Sequence, residues 1–194
     1  MTEISLSLVI RQITIKPEEF IADTQFSDRE LRSYEIPTLV HSTPKENYPL
    51  ILKDGYLKSW NLLKLENLDF EDKPIGSLLG DPKDLSDYII LGSGINNEIV
   101  VLSKQNKSLC MDIEAEYIPG ARFYFSTKQL ASEGLLVRDG LHYKVKNRLS
   151  LSLSFFCATA ENLNIDKSNI TPKIFATAAD KAFNERVEMT KNAR

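Results

Sequence analysis

Two histidines, His41 and His142, are the side chains best suited to acid–base chemistry or ligand contact near neutral pH. His41 stands in the string LVHSTP, where a short apolar stretch at 38–40 is followed by a predicted helix start. The N–H groups at a helix N-terminus favour phosphate, so His41 would lie close to a phosphate-bearing ligand bound there. A half-buried histidine in a turn, hydrogen-bonded to the backbone, is the other interpretation, and the sequence leaves both open.

His142 lies in the string RDGLHYKV, after a predicted turn at 138–140. On a strand it would share one face with Lys144, and such a face is usually solvated. A general-base pair of His142 with Asp139 would indicate a nuclease or hydrolase, although an aspartate at that position is normally a turn former. The pair is one of three functional interpretations of this sequence.

The composition excludes several other classes of protein. With 42% apolar and 26% charged residues, the chain of 194 residues has the balance of an ordinary globular protein and the length of one domain. A formal net charge of -3 gives no signature of polyanion binding, although a local basic cleft is compatible with it. Cys110 and Cys157 are too few for a thiolate metal cluster, so we expect reduced thiols and no metal.

Several common motifs are also missing from the sequence. There is no Walker-type loop, no G-x-S-x-G elbow and no H-E-x-x-H helix. The GSG string at 92–94 indicates only a turn, because we predict a strand after it. The N-terminus does not resemble a secretory signal, and no run approaches the roughly 18 apolar residues of a membrane-spanning helix. The expected compartment is the cytoplasm.

Hydrophobic periodicity and turn residues predict the elements that would position these side chains. Residues 4–10 alternate as in a half-buried strand. Thr43, Pro44 and Glu46 have the spacing of a helix start, although Pro49 would bend that helix or delay its start to about Asn47. Further strands are predicted at 88–91, 99–102, 121–126, 141–145 and 149–156, the first two forming a hairpin.

Helices are predicted near 128–136 and at 171–191, with a long surface loop at 66–87. The last helix starts at Thr171-Pro172 and carries an apolar stripe at helical spacing. The predicted fold class is α+β. It is a single domain over 1–194, with a mostly antiparallel sheet and a few packed helices.

The string LVHSTPKENYPLILKDGYLKS, residues 39–59, resembles the opening motif of the ADP-ribosyltransferase-like superfamily. Members of that superfamily show a strand ending in H-x-T, then a helix and an I-L-x-x-G-L finish. The matching residues are His41, Thr43, Ile51, Leu52, Gly55 and, one place later, Leu57. The branches that it most resembles are the DarT-type DNA-modifying toxins and the RNA 2'-phosphotransferases. The resemblance implies that His41 and Thr43 hold the adenosine ribose and phosphates of NAD.

A second string, ARFYFSTKQLAS at 121–132, is similar to the aromatic strand of the same superfamily. The resemblance implies that an aromatic ring stacks on nicotinamide. That ring would be Tyr124, or Phe123 or Phe125 if the register differs. Ser126 would stand at the end of the strand.

Many of these transferases place a catalytic glutamate on a late strand, and this sequence departs from that pattern. Glu98 has the local sequence of a strand residue but precedes the aromatic string, and Glu133 follows it outside any obvious strand. The phosphotransferase branch relies instead on arginine and histidine. For that chemistry Arg122 and Arg138 are the available phosphate-binding cations.

The resemblance thus implies an NAD-using ADP-ribosyl or related phosphoryl transferase that acts on a nucleic acid or protein acceptor. With Tyr124 as the stacking ring, His41, Thr43 and Tyr124 line one cleft, and side chains of these residues on opposite faces of the sheet would rule the transferase interpretation out. The alternative is a non-enzymatic binding module or assembly subunit that docks through its C-terminal helix. Its support is the lack of an assembled catalytic set.

The predicted surface loop at 66–87 leads to a first test. Because its Asp, Gly and Pro content predicts few buried contacts, limited proteolysis should cut there before it cuts in 121–156. Mass spectrometry of the first fragments would locate the cut. Earlier cleavage inside 121–156 would contradict the predicted division into core and loop.

Overall fold

The structure is a computed structural model that describes residues 24–25, 36–67, 83–138 and 142–192. The predicted strand at 4–10 lies outside the described residues. So does most of the predicted loop, since only 66–67 and a short 3-10 turn, Lys83–Asp87, are described from it.

Nine strands occur in these ranges, and each of the described strand pairs is antiparallel. The strands are β1 (Thr24–Gln25), β2 (Thr38–Pro44), β3 (Tyr56–Lys58), β4 (Tyr88–Leu91), β5 (Pro119–Ser126), β6 (Leu136–Arg138), β7 (Tyr143–Lys146), β8 (Arg148–Ser150) and β9 (Ser154–Ala158). They form sheets with the orders β1-β6-β7-β4, β2-β5-β9 and β3-β8. A single bridge between Val40 and Gly92 joins β2 to the chain just after β4.

Five helices accompany these strands in the described part of the chain. They are α1 (Tyr48–Asp54), α2 (Trp60–Glu66), α3 (Asn96–Gln105), α4 (Thr127–Ser132) and α5 (Pro172–Asn192). Helices and antiparallel sheets together confirm the predicted α+β class. None of the described helices is long and apolar enough to cross a membrane.

The β2-β5-β9 sheet has two faces that differ in what they contact. Side chains alternate along a strand, and residues directly opposite each other on antiparallel strands share a face. His41 pairs with Phe123, which pairs with Cys157, and this side is called the His41 face. Ser42 pairs with Arg122 on the other side, called the helix face because α3 and α5 contact it there.

Both faces are packed, and each contributes to a different core cluster. On the His41 face, Leu39, Phe123 and Phe125 belong to the largest buried cluster of the described residues, together with side chains of β3, β4, β6, β7 and β8. On the helix face, Val40 and Tyr124 pack against α5. The β2-β5-β9 sheet is therefore an inner layer, and a side chain's face decides its surroundings.

Residues 99–102 are helical, so the predicted hairpin of 88–91 and 99–102 is wrong. Local β preference of Ile99, Val100 and Val101 favoured a strand, but Ile99, Leu102 and Glu98 are buried as one side of α3 against the sheet. The GSG turn at 92–94 consequently precedes a helix.

The predicted strand at 149–156 is interrupted, and its strict Leu–Ser alternation does not continue through it. A 3-10 turn at Leu151–Leu153 separates β8 from β9. The Ser150 hydroxyl accepts a hydrogen bond from the Ser152 N–H at 3.3 Å, an alternative to the strand ladder that serine side chains readily provide.

β2 is longer than the sequence indicates, and α1 starts later than the Thr43–Pro44 signal. Pro44 still pairs with Pro119 on β5, and the helix begins after Asn47, the later of the two predicted starts. Gly55 ends α1 with a φ of 73°, as the Asp54-Gly55 pair predicts. The C-terminal helix is confirmed at Pro172–Asn192.

Gly120 on β5 supplies a stability prediction. A Cβ at this position would overlap the backbone of Thr43 and Pro44, which cannot move without disturbing β2. We expect Gly120→Ala to lower the free energy of unfolding by about 1–3 kcal/mol, measured by urea denaturation. Gly92→Ala is the matched control, because the atoms nearest to its Cβ would be those at the end of the flexible Asn97 side chain, the closest at 3.0 Å. Equal losses in both variants would contradict this account.

Candidate functional site

His41 lies within β2 and is half-buried, so it is not the turn residue of the alternative interpretation, although it does bond to backbone. Its Nδ1 is 3.1 Å from the carbonyl oxygen of Ile90 on β4. A carbonyl oxygen only accepts, so Nδ1 carries the proton and Nε2 of the neutral ring is an acceptor. Burial lowers the pKa of His41, and the bond to Ile90 acts in the opposite direction. The neutral ring is thus the form that this position favours.

Aromatic and thiol groups lie next to His41 on the same face. Phe123 is its cross-strand neighbour, and Cys157 is the neighbour of Phe123 on β9. The Tyr48 ring of α1 lies 6.2 Å from the Phe123 ring, centroid to centroid, and its hydroxyl is 4.0 Å from Cys157 Sγ. Burial and the neighbouring Cys157 raise the pKa of Tyr48 to about 12. His41, Tyr48 and Cys157 are each partly exposed, so this group reaches the surface.

The helix face carries a buried polar group that we call the Arg122 cluster: Ser42, Glu98, Arg122, Tyr124 and Asp180. The Arg122 side chain is 1% exposed. It donates to Glu98 Oε2 at 2.6 Å, to Asp180 Oδ1 at 2.9 Å and to the Tyr124 hydroxyl at 2.9 Å. Burial acts to lower the pKa of Arg122, but the charges of Glu98 and Asp180 outweigh it and raise the pKa. Arg122 is therefore not placed to contact a bound phosphate.

Glu98 is not on a strand and has no access to a ligand. It lies on α3, 0% exposed, and it accepts hydrogen bonds from the Ser42 hydroxyl at 2.5 Å and from Arg122. Burial raises the pKa of its carboxyl group, whereas Arg122 and Ser42 act to lower it. Both carboxylate oxygens already have partners inside the protein.

Tyr124 lies on the opposite face from His41 and Thr43, so the single cleft of these three residues is not formed. Its ring stacks on Phe183 of α5, with centroids 4.5 Å apart and planes 9° from parallel. Its hydroxyl donates to Asp180 at 2.8 Å. The reason is the two-residue period of β5, which turns Phe123 and Phe125 to the His41 side and Tyr124 away. Of the predicted aromatic residues, Phe123 is the one beside His41.

The other predicted site residues are spread along the sheet. Thr43 is buried on the His41 face near the end of β2. Ser126 stands at the end of β5, as expected, where its hydroxyl accepts from the Gln129 N–H and caps α4. Glu133 is exposed at the C-terminal end of α4. Arg138 ends β6, and its side chain is not among those described.

A cavity of about 170 Å³ lies beyond the end of β2. None of the eight predicted site residues lines it. Its lining residues are Lys45, Glu116, Tyr117, Ile118, Pro119, Ala160, Glu161, Lys167, Ser168 and Ile170. The Tyr117 hydroxyl is buried. Burial raises the pKa of Tyr117, and the negative charge of the nearby Glu98 raises it further.

Of the predicted pair of His142 and Asp139, only His142 lies among the described residues. His142 is half-buried just before β7, and Asp139 lies outside the described residues. In the described ranges no three His, Cys, Asp or Glu side chains are grouped so that they could hold a metal ion.

Three comparisons, with protein-family models, with curated proteins and with solved structures, find no match to this chain.

Sequence reasoning missed Ser42, Tyr48 and Asp180. Ser42 stands between two residues that were singled out, and only the strand geometry shows that it points the other way. Asp180 had a signal, since it occupies the same side of α5 as Ala176 and Phe183, at a spacing of four and three residues. An acidic residue within an apolar stripe indicates a buried cationic partner.

The lowered pKa of His41 gives a pH prediction. Its unfolded-state pKa is near the ordinary 6.5 and its folded-state pKa is lower, so acid favours the unfolded chain. Stability from this group is complete above pH 6.5 and is lost as the pH falls towards the folded-state pKa. Urea midpoints between pH 7.5 and 5.5 should fall more steeply for the wild type than for His41→Gln, which can still donate to Ile90. A His41→Gln protein with the full wild-type slope would contradict the assignment.

Proposed function

We propose that the protein binds NAD on the His41 face and transfers its ADP-ribose group to a macromolecular acceptor. The observation that carries the proposal is the pairing of His41 with Phe123. The two strings that resemble the ADP-ribosyltransferase-like superfamily lie about 80 residues apart, yet they form neighbouring strands. Their histidine and one of their aromatic residues are side by side, as the resemblance implies for a shared site.

The chemistry of the individual groups supports these roles. His41 Nε2 is an acceptor and suits a ribose hydroxyl, a donor. Tyr48, half-buried beside Phe123, is the ring that suits stacking on nicotinamide, because Phe123 itself is buried in the core. Thr43 lies on the same face, towards the turn at 45–47. The form of the transferase interpretation that uses Tyr124 is ruled out, because Tyr124 lies on the opposite face from His41 and Phe183 occupies its ring face.

In the proposed reaction the bond between nicotinamide and the ribose carbon breaks, and nicotinamide leaves with the electron pair. Positive charge develops on the ribose, and a nucleophilic oxygen or nitrogen of the acceptor then forms the new bond and loses its proton. A carboxylate near the ribose stabilises that positive charge. Glu98 does not suit this role because it is buried against Arg122. Glu133 is exposed and is the remaining candidate of the two.

A second candidate function is a module that binds NAD without cleaving it. The specific observation that favours it is the structural role of Glu98. This predicted catalytic carboxylate forms a buried ion pair with Arg122 and is therefore not available for catalysis. The structure argues against docking of a partner through the first half of the C-terminal helix α5. There Phe175, Ala176 and Ala179 are already buried against the rest of the protein.

A thermal shift measurement tests NAD binding. At an NAD concentration about ten times its Kd, ligand binding to the folded state contributes roughly 1.4 kcal/mol. For a domain of this size we expect the Tm to rise by about 3–6 °C. His41→Ala should abolish the rise without greatly lowering the Tm in the absence of NAD. No rise for the wild type, together with a destabilised His41→Ala protein, would assign His41 a structural role and refute NAD binding.

Nicotinamide release separates the two candidates. The transferase releases nicotinamide from NAD when an acceptor is present, and Glu133→Gln should slow that release without removing the Tm shift. A protein that shows the Tm shift but releases no nicotinamide with DNA, RNA or protein acceptors is the binding module.

A further inference from the structure

Ser42 connects the two faces of β2. It stands between His41 and Thr43 in the chain, but its side chain points to the helix face. There its hydroxyl donates to Glu98 Oε1 at 2.5 Å. The backbone on both sides of Ser42 carries the residues of the proposed NAD site, so this bond restrains where they stand.

A second connection runs through the chain that follows β4. Arg122 Nη1 donates to the carbonyl oxygen of Gly94 at 3.1 Å. Two residues earlier, Gly92 forms the bridge with Val40, with backbone bonds of 2.9 and 3.0 Å. Two residues before that, Ile90 accepts the His41 Nδ1–H. The guanidinium thus restrains the segment that orients the imidazole.

Both connections end at α5. Asp180 accepts from Arg122 Nη2 and from the Tyr124 hydroxyl, and it is the one carboxylate that α5 contributes to the Arg122 cluster. Its side chain is 44% exposed, whereas those of Arg122 and Glu98 are 1% and 0% exposed. Asp180 can therefore be changed without opening the core, and its loss releases two of the donors that define the cluster.

We propose that Asp180 and Ser42 are positioning residues for His41, so that the C-terminal helix is part of the NAD site although it lies on the other face of the sheet. The identification of NAD as the ligand rests on the proposed function. The positional effect on His41 does not depend on it.

The test compares Asp180→Ala, Asp180→Asn and Ser42→Ala with Glu185→Ala as a control. Glu185 is an exposed acidic residue of the same helix, 3.9 Å from Lys181 and outside the cluster. The first measurement is the NMR signals of the His41 imidazole without ligand, identified with a His142→Gln protein. The second is the Kd for NAD, measured well below the Tm of every variant, where each is folded.

We expect the His41 signals to shift in Asp180→Ala and Ser42→Ala and to coincide with the wild type in Glu185→Ala. The Kd should rise about tenfold in Asp180→Ala, comparable to the loss of one hydrogen bond to a charged group. Asp180→Asn should recover part of that loss, because its amide oxygen still accepts. A wild type that does not bind NAD would refute the proposed function, and the His41 signals would still decide the positioning role. Unchanged His41 signals in both Asp180→Ala and Ser42→Ala would overturn the positioning role. If the wild type binds NAD, an unchanged Kd in both variants would overturn it as well.

Discussion

The guanidinium of Arg122 is buried between a three-stranded sheet and two helices, and the elements around it supply the hydrogen-bond acceptors and counter-charges for this buried cation. A buried cation is costly unless it is both paired and hydrogen-bonded. Glu98 comes from α3, Asp180 from α5, Tyr124 from the same strand and the Gly94 carbonyl from the segment after β4. Removal of Glu98 would leave the guanidinium without its buried counter-charge, and the other acceptors fix its position, so these elements depend on one another.

This constraint gives the two faces of the sheet different uses. The helix face is saturated by internal partners: an ion pair, a stacked pair of rings and a short hydrogen bond from Ser42. On the His41 face, the neutral imidazole, the Tyr48 ring and the Cys157 thiol remain partly exposed, whereas Phe123 and Phe125 are buried. We therefore assign the proposed ligand site to the His41 face, with the helix face packed behind it.

The proposed NAD site differs from the expected one in its aromatic residue and in its carboxylate. Tyr48, which packs beside the buried Phe123, takes the place of Tyr124, because β5 turns Tyr124 to the other face of the sheet. Glu98 is not available to a ligand, because α3 buries it against Arg122. His41 keeps its place because the pairing of β2 with β5 brings the two matched strings together. Phe123 and Tyr124 are adjacent on β5, yet the first lies beside His41 and the second stacks on Phe183 of α5.

The sequence by itself determined the features that depend on neighbours in the chain. Thr171-Pro172 and the apolar stripe mark α5, Asp54-Gly55 ends α1, and the β-prone 121–126 segment forms the main part of β5. Only the tertiary structure decided features that depend on distant partners. The 99–102 segment became helical because one of its sides packs on the sheet, and the LSLSLS string was divided by a serine-capped turn. The face of each site residue followed from strand register, and the role of Arg122 followed from Glu98 and Asp180, which are 24 and 58 residues away. Side-chain type and local spacing say which groups can do chemistry, but burial and pairing across the fold decide which of them are available to do it.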